Sequence, residues 1–292
     1  MEIKQVMQKQ VKELLENGVI DCFIGFEKGQ LPFHSPPVFI DNPAEVNRLV
    51  WDDFCIANLT KYLINLLQKY KKVGLLSKGC DSRGLVVLMQ DKQIKRENIV
   101  IIGVNCSGMK DPSTFGVKSV LSDVPQAEKC LSCTCPTPVI YDYLIGEKTE
   151  HHPQGRFERI EEIEKNSIDE RYNFWNKHFV RCIRCYACRN ICPACNCRSC
   201  YVEQQRANWH GKGAEMADNA NYILTRAIHV AGRCIECGEC ERVCPLEIPL
   251  MAFNRKLIRE MQILFQSGDA GLAQDEKGPL FHYSVDDPDE FL

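Results

Sequence analysis

A cysteine pattern that occurs twice constrains this chain of 292 residues more than any other feature. Both copies read C-x2-C-x2-C-x3-C-P, the first over residues 182–193 and the second over residues 234–245. Three thiols at this spacing fit a tight loop around three corners of an iron-sulfur cube, and the fourth thiol points away from that loop. The pattern therefore predicts two [4Fe-4S] clusters that share their ligands.

The spacing is that of bacterial two-cluster ferredoxins, in which the fourth cysteine of each motif binds the other cluster. One cluster is accordingly assigned to Cys182, Cys185, Cys188 and Cys244. The second cluster is assigned to Cys234, Cys237, Cys240 and Cys192. This exchange of the fourth ligand would tie both cubes into one small unit.

Two other uses of cysteine fit the pattern less well. Zinc ribbons need two C-x2-C pairs per metal and have no third cysteine at the same step or proline after the last. A disulfide framework needs an oxidising compartment, and the start of the chain, Met1-Glu2-Ile3-Lys4-Gln5, shows no signal peptide. The expected location is the cytoplasm, with reduced thiols.

Charge and cysteine distribution narrow the class of protein further. The formal net charge is −3, which argues against a general binder of nucleic acids or membrane surfaces, and no apolar run has the length of a membrane span. Of the 18 cysteines, 11 lie between Cys182 and Cys244, which indicates a separate cluster module. We expect no nucleic-acid partner and no direct membrane insertion.

Arginines are concentrated around the predicted ligands, in contrast to the acidic balance of the whole chain. They can form a solvated basic face, or they can compensate cluster charge and dock an acidic partner. The two interpretations are compatible. The residues are Arg181, Arg184, Arg189, Arg198, Arg233 and Arg242.

The first 145 residues have the patterns of an α/β domain. Apolar spacing predicts a helix over residues 2–17, a strand over 19–26 and a long helix from Asn42 to Tyr70. Cys22 and Cys55 are interpreted as packed core thiols.

A βαβ unit follows in the same domain. Residues 72–76 and 99–104 read as buried strands, 77–84 as a loop and 85–90 as a helix, so the two strands are expected to be parallel neighbours. Cys80 and Cys106 each follow the carboxyl end of a strand, where open α/β sheets bind ligands. We expect the two thiols to converge.

A further cysteine group downstream completes a candidate third site. The segment Lys129-Cys130-Leu131-Ser132-Cys133-Thr134-Cys135-Pro136 offers a C-x2-C or a C-x-C pair. Together with Cys80 and Cys106, a pair from it supplies four ligands for a third [4Fe-4S] cluster. Cys130 and Cys133 are the preferred pair, with Cys135 as the substitute.

These residues carry a resemblance to a known family. Residues 15–145, above all the segments 15–21, 77–85 and 102–108, resemble the beta subunits of deazaflavin-dependent hydrogenases and formate dehydrogenases. The resemblance implies an iron-sulfur site beside a flavin, with its ligands at the positions of Cys80, Cys106, Cys130 and Cys133.

The chain also departs from that family. After the C-x2-C pair it continues into a charged segment in place of further flavin-domain sequence, and it has neither G-x-G-x-x-G nor a P-loop. Clusters are therefore favoured over a bound FAD. Asp81, Ser82 and Arg83 are candidate contacts for a flavin or a partner, and the alternative is a loop that hydrogen-bonds its own cluster.

About forty residues, 194–233, are inserted between the two ferredoxin motifs. Cys195, Cys197 and Cys200 are candidate ligands of a further metal, with His210 or a distant cysteine as the fourth ligand, or are shielding thiols without a metal. Residues 214–230 predict a helix. The segment 229–234 resembles the dicluster subunits of heterodisulfide-reductase-type complexes.

These patterns predict an α/β N-terminal domain with parallel strands, followed by an α+β two-[4Fe-4S] ferredoxin-like domain with a helical insertion. The expected boundaries are an α/β domain over 1–145, a charged linker over 146–176, the ferredoxin module over 177–266 and a docking tail over 267–292. The tail is acidic and carries Phe281, Tyr283, Phe291 and Leu292, which indicates an arm that folds against a partner.

The predicted function is electron transfer by an iron-sulfur subunit of a cytoplasmic oxidoreductase complex in an anaerobe, of the hydrogenase, formate dehydrogenase or heterodisulfide-reductase kind. Such an electron-transfer protein has no catalytic residues of its own. Two alternatives stay open: a flavin-dependent beta subunit that reduces a deazaflavin or related carrier, and a zinc-stabilised interaction or regulatory protein.

Overall fold

The computed structural model divides the chain into two compact units. Unit 1 comprises Met1–Gln154 together with Gly271–Gln274, and unit 2 comprises Gly155–Ala270 and Asp275–Leu292. The residues that the structure describes are 2–114, 120–147, 151–204, 211, 213–275, 278–281, 283 and 285.

Unit 1 is built on a mixed sheet of six strands in the order β2-β1-β4-β5-β6, with β3 paired to β1. The pairs β1–β4, β4–β5 and β5–β6 are parallel, whereas β2 and β3 are antiparallel to β1. The predicted parallel pairing of the βαβ strands is confirmed. The strands are β1 (Cys22–Glu27), β2 (Pro37–Ile40), β3 (Leu49–Val50), β4 (Val73–Ser77), β5 (Ile99–Val104) and β6 (Tyr143–Ile145).

The helices of unit 1 are α1 (Ile3–Glu16), α2 (Thr60–Lys69), α3 (Gly79–Gln90) and α4 (Glu128–Leu131). Every residue of β4 and β5 is buried, as expected for central strands covered on both faces. Cys55 lies in the hydrophobic core and Cys22 is buried on β1, which confirms both as packed thiols. Short 3₁₀ helices span Pro43–Arg48, Arg96–Asn98, Pro112–Thr114 and Leu121–Asp123.

Two local predictions in unit 1 were wrong. The helix expected from Asn42 to Tyr70 is a 3₁₀ turn, a two-residue strand and only then α2, because β3 pairs with the last two residues of β1 and interrupts the apolar run. Of the loop expected over residues 77–84, Ser77 ends β4, Lys78 is the N-cap of α3, and residues 79–84 form the first half of that helix. The Asp81 carboxylate accepts the Lys78 N–H there and caps the helix start.

Unit 2 is helical in its described part. Its long helices are α6 (Ile168–Arg181), α8 (Met216–His229) and α10 (Leu250–Phe265), and α8 lies where the sequence predicts a helix. Strands, expected for an α+β module, are absent from the described part of the unit, where the long helices α6, α8 and α10 flank the two motifs. The short helices are α5 (Glu158–Glu164), α7 (Ala187–Ile191) and α9 (Glu239–Arg242), with 3₁₀ turns at Tyr201–Glu203 and Pro279–Phe281.

The segment interpreted as a charged linker, 146–176, differs from that expectation. It contains α5 and most of α6, and α6 begins at a capping box in which the Ser167 hydroxyl accepts the Glu170 N–H while the Glu170 carboxylate accepts the Ser167 N–H. Charged residues here cover the exposed faces of helices whose apolar side is packed. Among the described helices, none has the length and apolar character needed to cross a membrane.

Candidate iron-sulfur sites

The two ferredoxin-type motifs form loops with the same backbone pattern. In the first, Arg184 and Tyr186 have φ of 51° and 60°, and in the second the equivalent Glu236 and Gly238 have φ of 54° and 68°. A left-handed conformation costs a non-glycine residue about 1–3 kcal/mol, so it persists only where the surroundings require it. Alternating helical hands turn successive N–H groups inward and create a concave site for an anionic group.

Backbone N–H groups point at the first sulfur of each loop. Arg184 donates to the Cys182 thiol, and Glu236 donates to the Cys234 thiol, each from two residues further along the chain. Hydrogen bonds of this kind stabilise a negatively charged sulfur. Since four thiolates around an iron-sulfur cube leave a negative site, the loop geometry fits the predicted cofactor.

The first set of four cysteines lines one pocket. Cys182, Cys185 and Cys188 of the first motif surround it together with Cys244 of the second, and Tyr222, Leu246 and Ile248 are among the residues of the wall. Burial raises the pKa of Cys182 above its usual value, and the nearby thiols of Cys188, Cys244 and Cys185 raise it further. Cys244 of the second motif thus lies with three cysteines of the first, as the predicted exchange of the fourth cysteine requires.

Cysteines of the second set also lie close together. Burial raises the pKa of Cys234 well above its usual range, and the thiols of Cys192 and Cys240 add to that increase. Cys192 comes from the first motif, at the end of α7, and is buried. Cys237 is half-buried in the loop between Cys234 and Cys240. The exchange of the fourth cysteine is therefore reciprocal in the structure.

Polar side chains from neighbouring helices contact the sulfurs. The Tyr222 hydroxyl of α8 lies 3.4 Å from Cys188 Sγ. The Asn254 amide of α10 donates to Cys240 Sγ at 3.6 Å. Outer contacts of this kind orient a ligand and tune the centre that it holds.

The three additional cysteines of the insertion, Cys195, Cys197 and Cys200, differ in their neighbours and in their exposure. A hydrogen bond from Cys195, above all, holds the pKa of Cys192 below its usual value, so Cys195 lies beside a cysteine of the second set. Cys197 is exposed, and Cys200 accepts a hydrogen bond from Arg189. Among the described residues, no group of three His, Cys, Asp or Glu side chains is placed to hold a single metal ion. The cysteine sets of the cluster sites are a different case, because each thiolate of a four-iron cube binds a different iron atom. His210 lies outside the described residues.

The candidate third site lies at the carboxyl ends of β4 and β5. Ser77 of β4 pairs with Gly103 of β5, so Cys80 and Cys106 follow the strands at the same edge of the sheet. Burial raises the pKa of Cys106 to about 11, Lys78 opposes this increase, and the thiols of Cys130 and Cys133 add to it. Cys80 also has Cys133 as an electrostatic neighbour. The four thiols are thus close to one another.

Backbone N–H groups point at sulfur in this third site as well. Gly108 donates to Cys106 Sγ and Cys135 donates to Cys133 Sγ, both at 3.4 Å and both from two residues further on. The Met109 N–H donates to Cys130 Sγ at 3.4 Å. Cys135 instead is buried and donates its thiol to the Thr137 carbonyl at 3.2 Å. This arrangement favours Cys130 and Cys133 over Cys135 as ligands.

The three candidate flavin contacts are buried within unit 1, in α3 rather than in an exposed loop. The Asp81 carboxylate accepts the Leu59 N–H at 2.7 Å and pairs with Lys78 Nζ at 3.0 Å. The Ser82 hydroxyl donates to the Gly79 carbonyl at 2.8 Å and accepts the Val139 N–H at 3.0 Å. Arg83 is 3% exposed. Asp81 and Ser82 therefore position the Cys80 helix, and the helix buries Arg83 with them.

Two cations near the sites were missed by sequence reasoning. Lys78 is 2% exposed and its ammonium donates to the Ala57 carbonyl at 2.9 Å, close to Cys80 and Cys106. Arg226 of α8 is 3% exposed and donates to the Cys188 carbonyl. The available signal for Arg226 was its spacing, because it falls at helical intervals on the same face as Tyr222 and Ile223.

Comparison with known proteins finds a family match over the two ferredoxin-type motifs. The 4Fe-4S dicluster domain family matches residues 178–248, which contain both ferredoxin-type motifs. A shorter match, 36% identical over 83 residues, is to a component of the ion-translocating oxidoreductase complex of Buchnera aphidicola, and it covers 28% of this chain and 14% of that protein.

The similarity to two archaeal proteins extends over most of the chain. The F420-dependent formate dehydrogenase subunit beta of Methanocaldococcus jannaschii is 24% identical, with 82% of this chain and 84% of that protein covered. The F420-dependent formate dehydrogenase 1 subunit beta of Methanococcus maripaludis is also 24% identical, with 84% and 85% covered. The resemblance expected from the sequence motifs is therefore confirmed: the chain is homologous to F420-dependent formate dehydrogenase beta subunits and contains a 4Fe-4S dicluster domain.

Proposed function

We propose that this chain is an iron-sulfur electron-transfer subunit of a multi-subunit oxidoreductase complex and relays single electrons through [4Fe-4S] clusters. The main support for this proposal is that the fourth cysteine of each motif lies with the other motif: Cys244 is beside Cys182, and Cys192 is beside Cys234. An exchange of this kind is typical of two-cluster ferredoxins. The homology to beta subunits of formate dehydrogenases supports a role within a larger complex.

Two clusters would be held by the ferredoxin-type motifs and a third by Cys80, Cys106, Cys130 and Cys133. Support for the third comes from the closeness of the four thiols and from the N–H groups aimed at three of them. When bound, the clusters accept and donate single electrons. The residues of the chain hold the irons, and their backbone N–H groups stabilise negative sulfur.

The partner would be a catalytic subunit of the formate dehydrogenase, hydrogenase or heterodisulfide-reductase kind, and the complex would work in the cytoplasm. The relatives' names favour formate dehydrogenase among these. This assignment of a partner rests on similarity, whereas the electron-transfer role also rests on the cysteine geometry.

A second candidate function is supported by the same relatives, because both are named F420-dependent. In this case the chain would bind FAD and itself reduce a deazaflavin or related carrier. Protein purified without oxygen and precipitated with acid would then leave a yellow supernatant that contains flavin. A supernatant without flavin favours the pure electron-transfer role.

The first test is the iron and zinc content of the full chain purified without oxygen. About twelve irons per chain are expected for three cubes, and about eight would confine the clusters to the ferredoxin-type motifs. Zinc in place of iron would overturn the proposal in favour of a zinc-stabilised protein. Iron with acid-labile sulfide and without zinc supports it.

A matched pair of variants tests the third site. Cys133→Ser is expected to lower the iron content by about four per chain, because it removes a ligand of one cube. Cys135→Ser is expected to keep all irons, since its thiol is engaged with the Thr137 carbonyl. If Cys135→Ser loses iron and Cys133→Ser keeps it, Cys135 rather than Cys133 is the ligand. If both variants keep all their irons, the proposal of a third cluster is wrong.

A further inference from the structure

One face of helix α8 presents three polar side chains to the interior of unit 2. Asn219, Tyr222 and Arg226 follow one another at intervals of three and four residues, so they share a face, and all three are buried. The Asn219 amide donates to the Cys182 carbonyl at 2.8 Å, and Tyr222 contacts Cys188 Sγ at 3.4 Å. The insertion between the two motifs thus contacts the first set of ligands directly.

Arg226 lies next to cysteines of both sets. Its guanidinium is 3% exposed, and Nη2 donates to the carbonyl of Cys188, a member of the first set, at 3.2 Å. Its Nε is buried without a hydrogen-bond partner among the described residues. Burial alone would lower the pKa of Arg226, but the thiols of Cys240, Cys192, Cys195 and Cys188 raise it well above its usual value. Cys240 and Cys192 belong to the second set.

A buried cation requires a compensating negative charge. Arg226 Nη2 lies on Cys188 of the first set, and Val230, four residues further along the chain, packs in one cluster with Cys192 and Cys234 of the second set. These cysteines become thiolates when they bind iron. The loops and the cysteine sets fit two [4Fe-4S] clusters, so the negative charge around Arg226 would come from both cluster sites at once.

We propose that Arg226 is a shared counter-charge for the two ferredoxin-type cluster sites and raises the reduction potentials of both. The inference rests on the proposed function, because it needs the clusters to be present. Reduction adds a negative charge to a cluster, and a fixed cation in a poorly polarisable interior stabilises that charge more than a solvated one does. Arg226 therefore acts through the ligands as a positioning and tuning residue.

Arg181 is the matched comparison. It immediately precedes the ligand Cys182 in sequence, but its side chain is exposed, so water and salt screen its charge. Arg181→Gln and Arg226→Gln remove the same charge near the same set of ligands. They differ in burial, which is the property on which the inference depends.

The test is a redox titration followed by electron paramagnetic resonance, on the full chain purified without oxygen, together with its iron content. In Arg226→Gln, the ratio of reduced to oxidised cluster at a fixed potential is expected to fall at least tenfold at both sites. Tenfold corresponds to about 59 mV for a one-electron couple. Arg226→Lys keeps the charge and is expected to stay within about threefold of the unaltered chain, as is Arg181→Gln.

The outcomes separate this inference from the proposed function. An unaltered chain without iron refutes the proposed function and this inference with it. An unaltered chain with at least about eight irons, whose potentials do not change in Arg226→Gln or change at one site alone, refutes this inference only. If Arg226→Gln loses its irons, the Arg226→Lys variant is the deciding measurement. Irons retained in Arg226→Lys at near-normal potentials support the counter-charge role of Arg226, and loss of irons from Arg226→Lys overturns that role.

Discussion

Gly79 controls how closely two cysteine-bearing segments approach in unit 1. It is the first residue of α3 and precedes Cys80, and an added Cβ would lie 1.7 Å from the Cys135 carbonyl oxygen and 3.2 Å from Cys135 Sγ. A contact of 1.7 Å is far below the sum of the atomic radii. Any side chain at this position must therefore move the loop that carries Cys130 and Cys133 away from Cys80.

Gly79→Ala is expected to lower the iron content from about twelve to about eight per chain and to destabilise unit 1 by about 1–3 kcal/mol, as overpacking does. Iron analysis and thermal unfolding without oxygen measure the two effects. Gly268→Ala is the control, because no atom lies within 4 Å of its Cβ position. Full iron content in Gly79→Ala would contradict the close approach as a requirement of the third site.

Three cysteines of each set are close in sequence, whereas the groups that surround Lys78 and Arg226 are distant in sequence. The grouping of the ferredoxin-type cysteines could be predicted from their spacing, since short intervals place three thiols of each set on one loop. The surroundings of Lys78 and Arg226 did not follow, because burial of a cation depends on segments distant in sequence. Ala57 contacts Lys78 across about twenty residues, and Cys188 contacts Arg226 across nearly forty.

At the scale of elements, α5 is joined to α10 by charge. Glu164 at the end of α5 accepts hydrogen bonds from Arg259 and Lys256 of α10, with N–O distances of 2.5 and 2.6 Å. These two bonds lower the pKa of Glu164 to about 2, from a usual 4.5. A depressed pKa means that the ionised carboxylate stabilises the folded state fully above pH 4.5, and that this contribution is lost as the pH falls towards 2.

Glu164→Gln is expected to lower the free energy of unfolding at pH 7 by at most about 1 kcal/mol, because the three side chains are partly exposed. The deficit should shrink at 1 M salt, where the Debye length is about 3 Å, and at pH 4, where the unfolded state begins to take up protons. Thermal unfolding without oxygen checks this. Glu162→Gln, an exposed change on the same helix, should have no effect, and a deficit independent of salt would rule out a charge effect.

Elements whose hydrophobic period is long and uninterrupted were predicted well from the sequence. Helix α1, the central strands β4 and β5 and helix α8 lie close to the predicted ranges. Predictions failed where a tertiary contact ended or began an element. Leu49 and Val50 fit a helical apolar pattern in the sequence, but in the structure they form a strand that pairs with β1. Helix α3 begins at Gly79 and Cys80 because the Asp81 carboxylate caps its first turn.

At the scale of the whole molecule, the chain that follows the ferredoxin-type module belongs partly to unit 1. Residues Gly271–Gln274 are assigned to that unit, where Gly271 packs against the backbone of Arg83 and Gln90 Nε2 donates to the Ala273 carbonyl at 3.0 Å. The segment interpreted as a docking tail, 267–292, therefore begins with residues that have partners within the chain. Phe291 and Leu292 lie outside the described residues.

Deletion of residues 268–292 is expected to weaken assembly with the partner subunits and to leave the iron content unchanged, because no predicted ligand lies beyond Cys244. A shorter deletion of residues 276–292 keeps the contacts of Gly271 and Ala273 and separates partner binding from stability of unit 1. Size-exclusion chromatography of the native complex, together with thermal unfolding, measures both. An intact complex after either deletion would count against a docking role for the tail.

The sequence by itself determined which cysteines can act as a set, because C-x2-C-x2-C confines three thiols to one loop and the βαβ pattern sends Cys80 and Cys106 to one edge of a sheet. Only the tertiary structure decided which groups surround those sulfurs. The burial of Arg226 beside both motifs, the engagement of Cys135 with Thr137 and the approach of Gly79 all join distant segments. Local spacing carries no information on such contacts, since packing of the whole chain sets them.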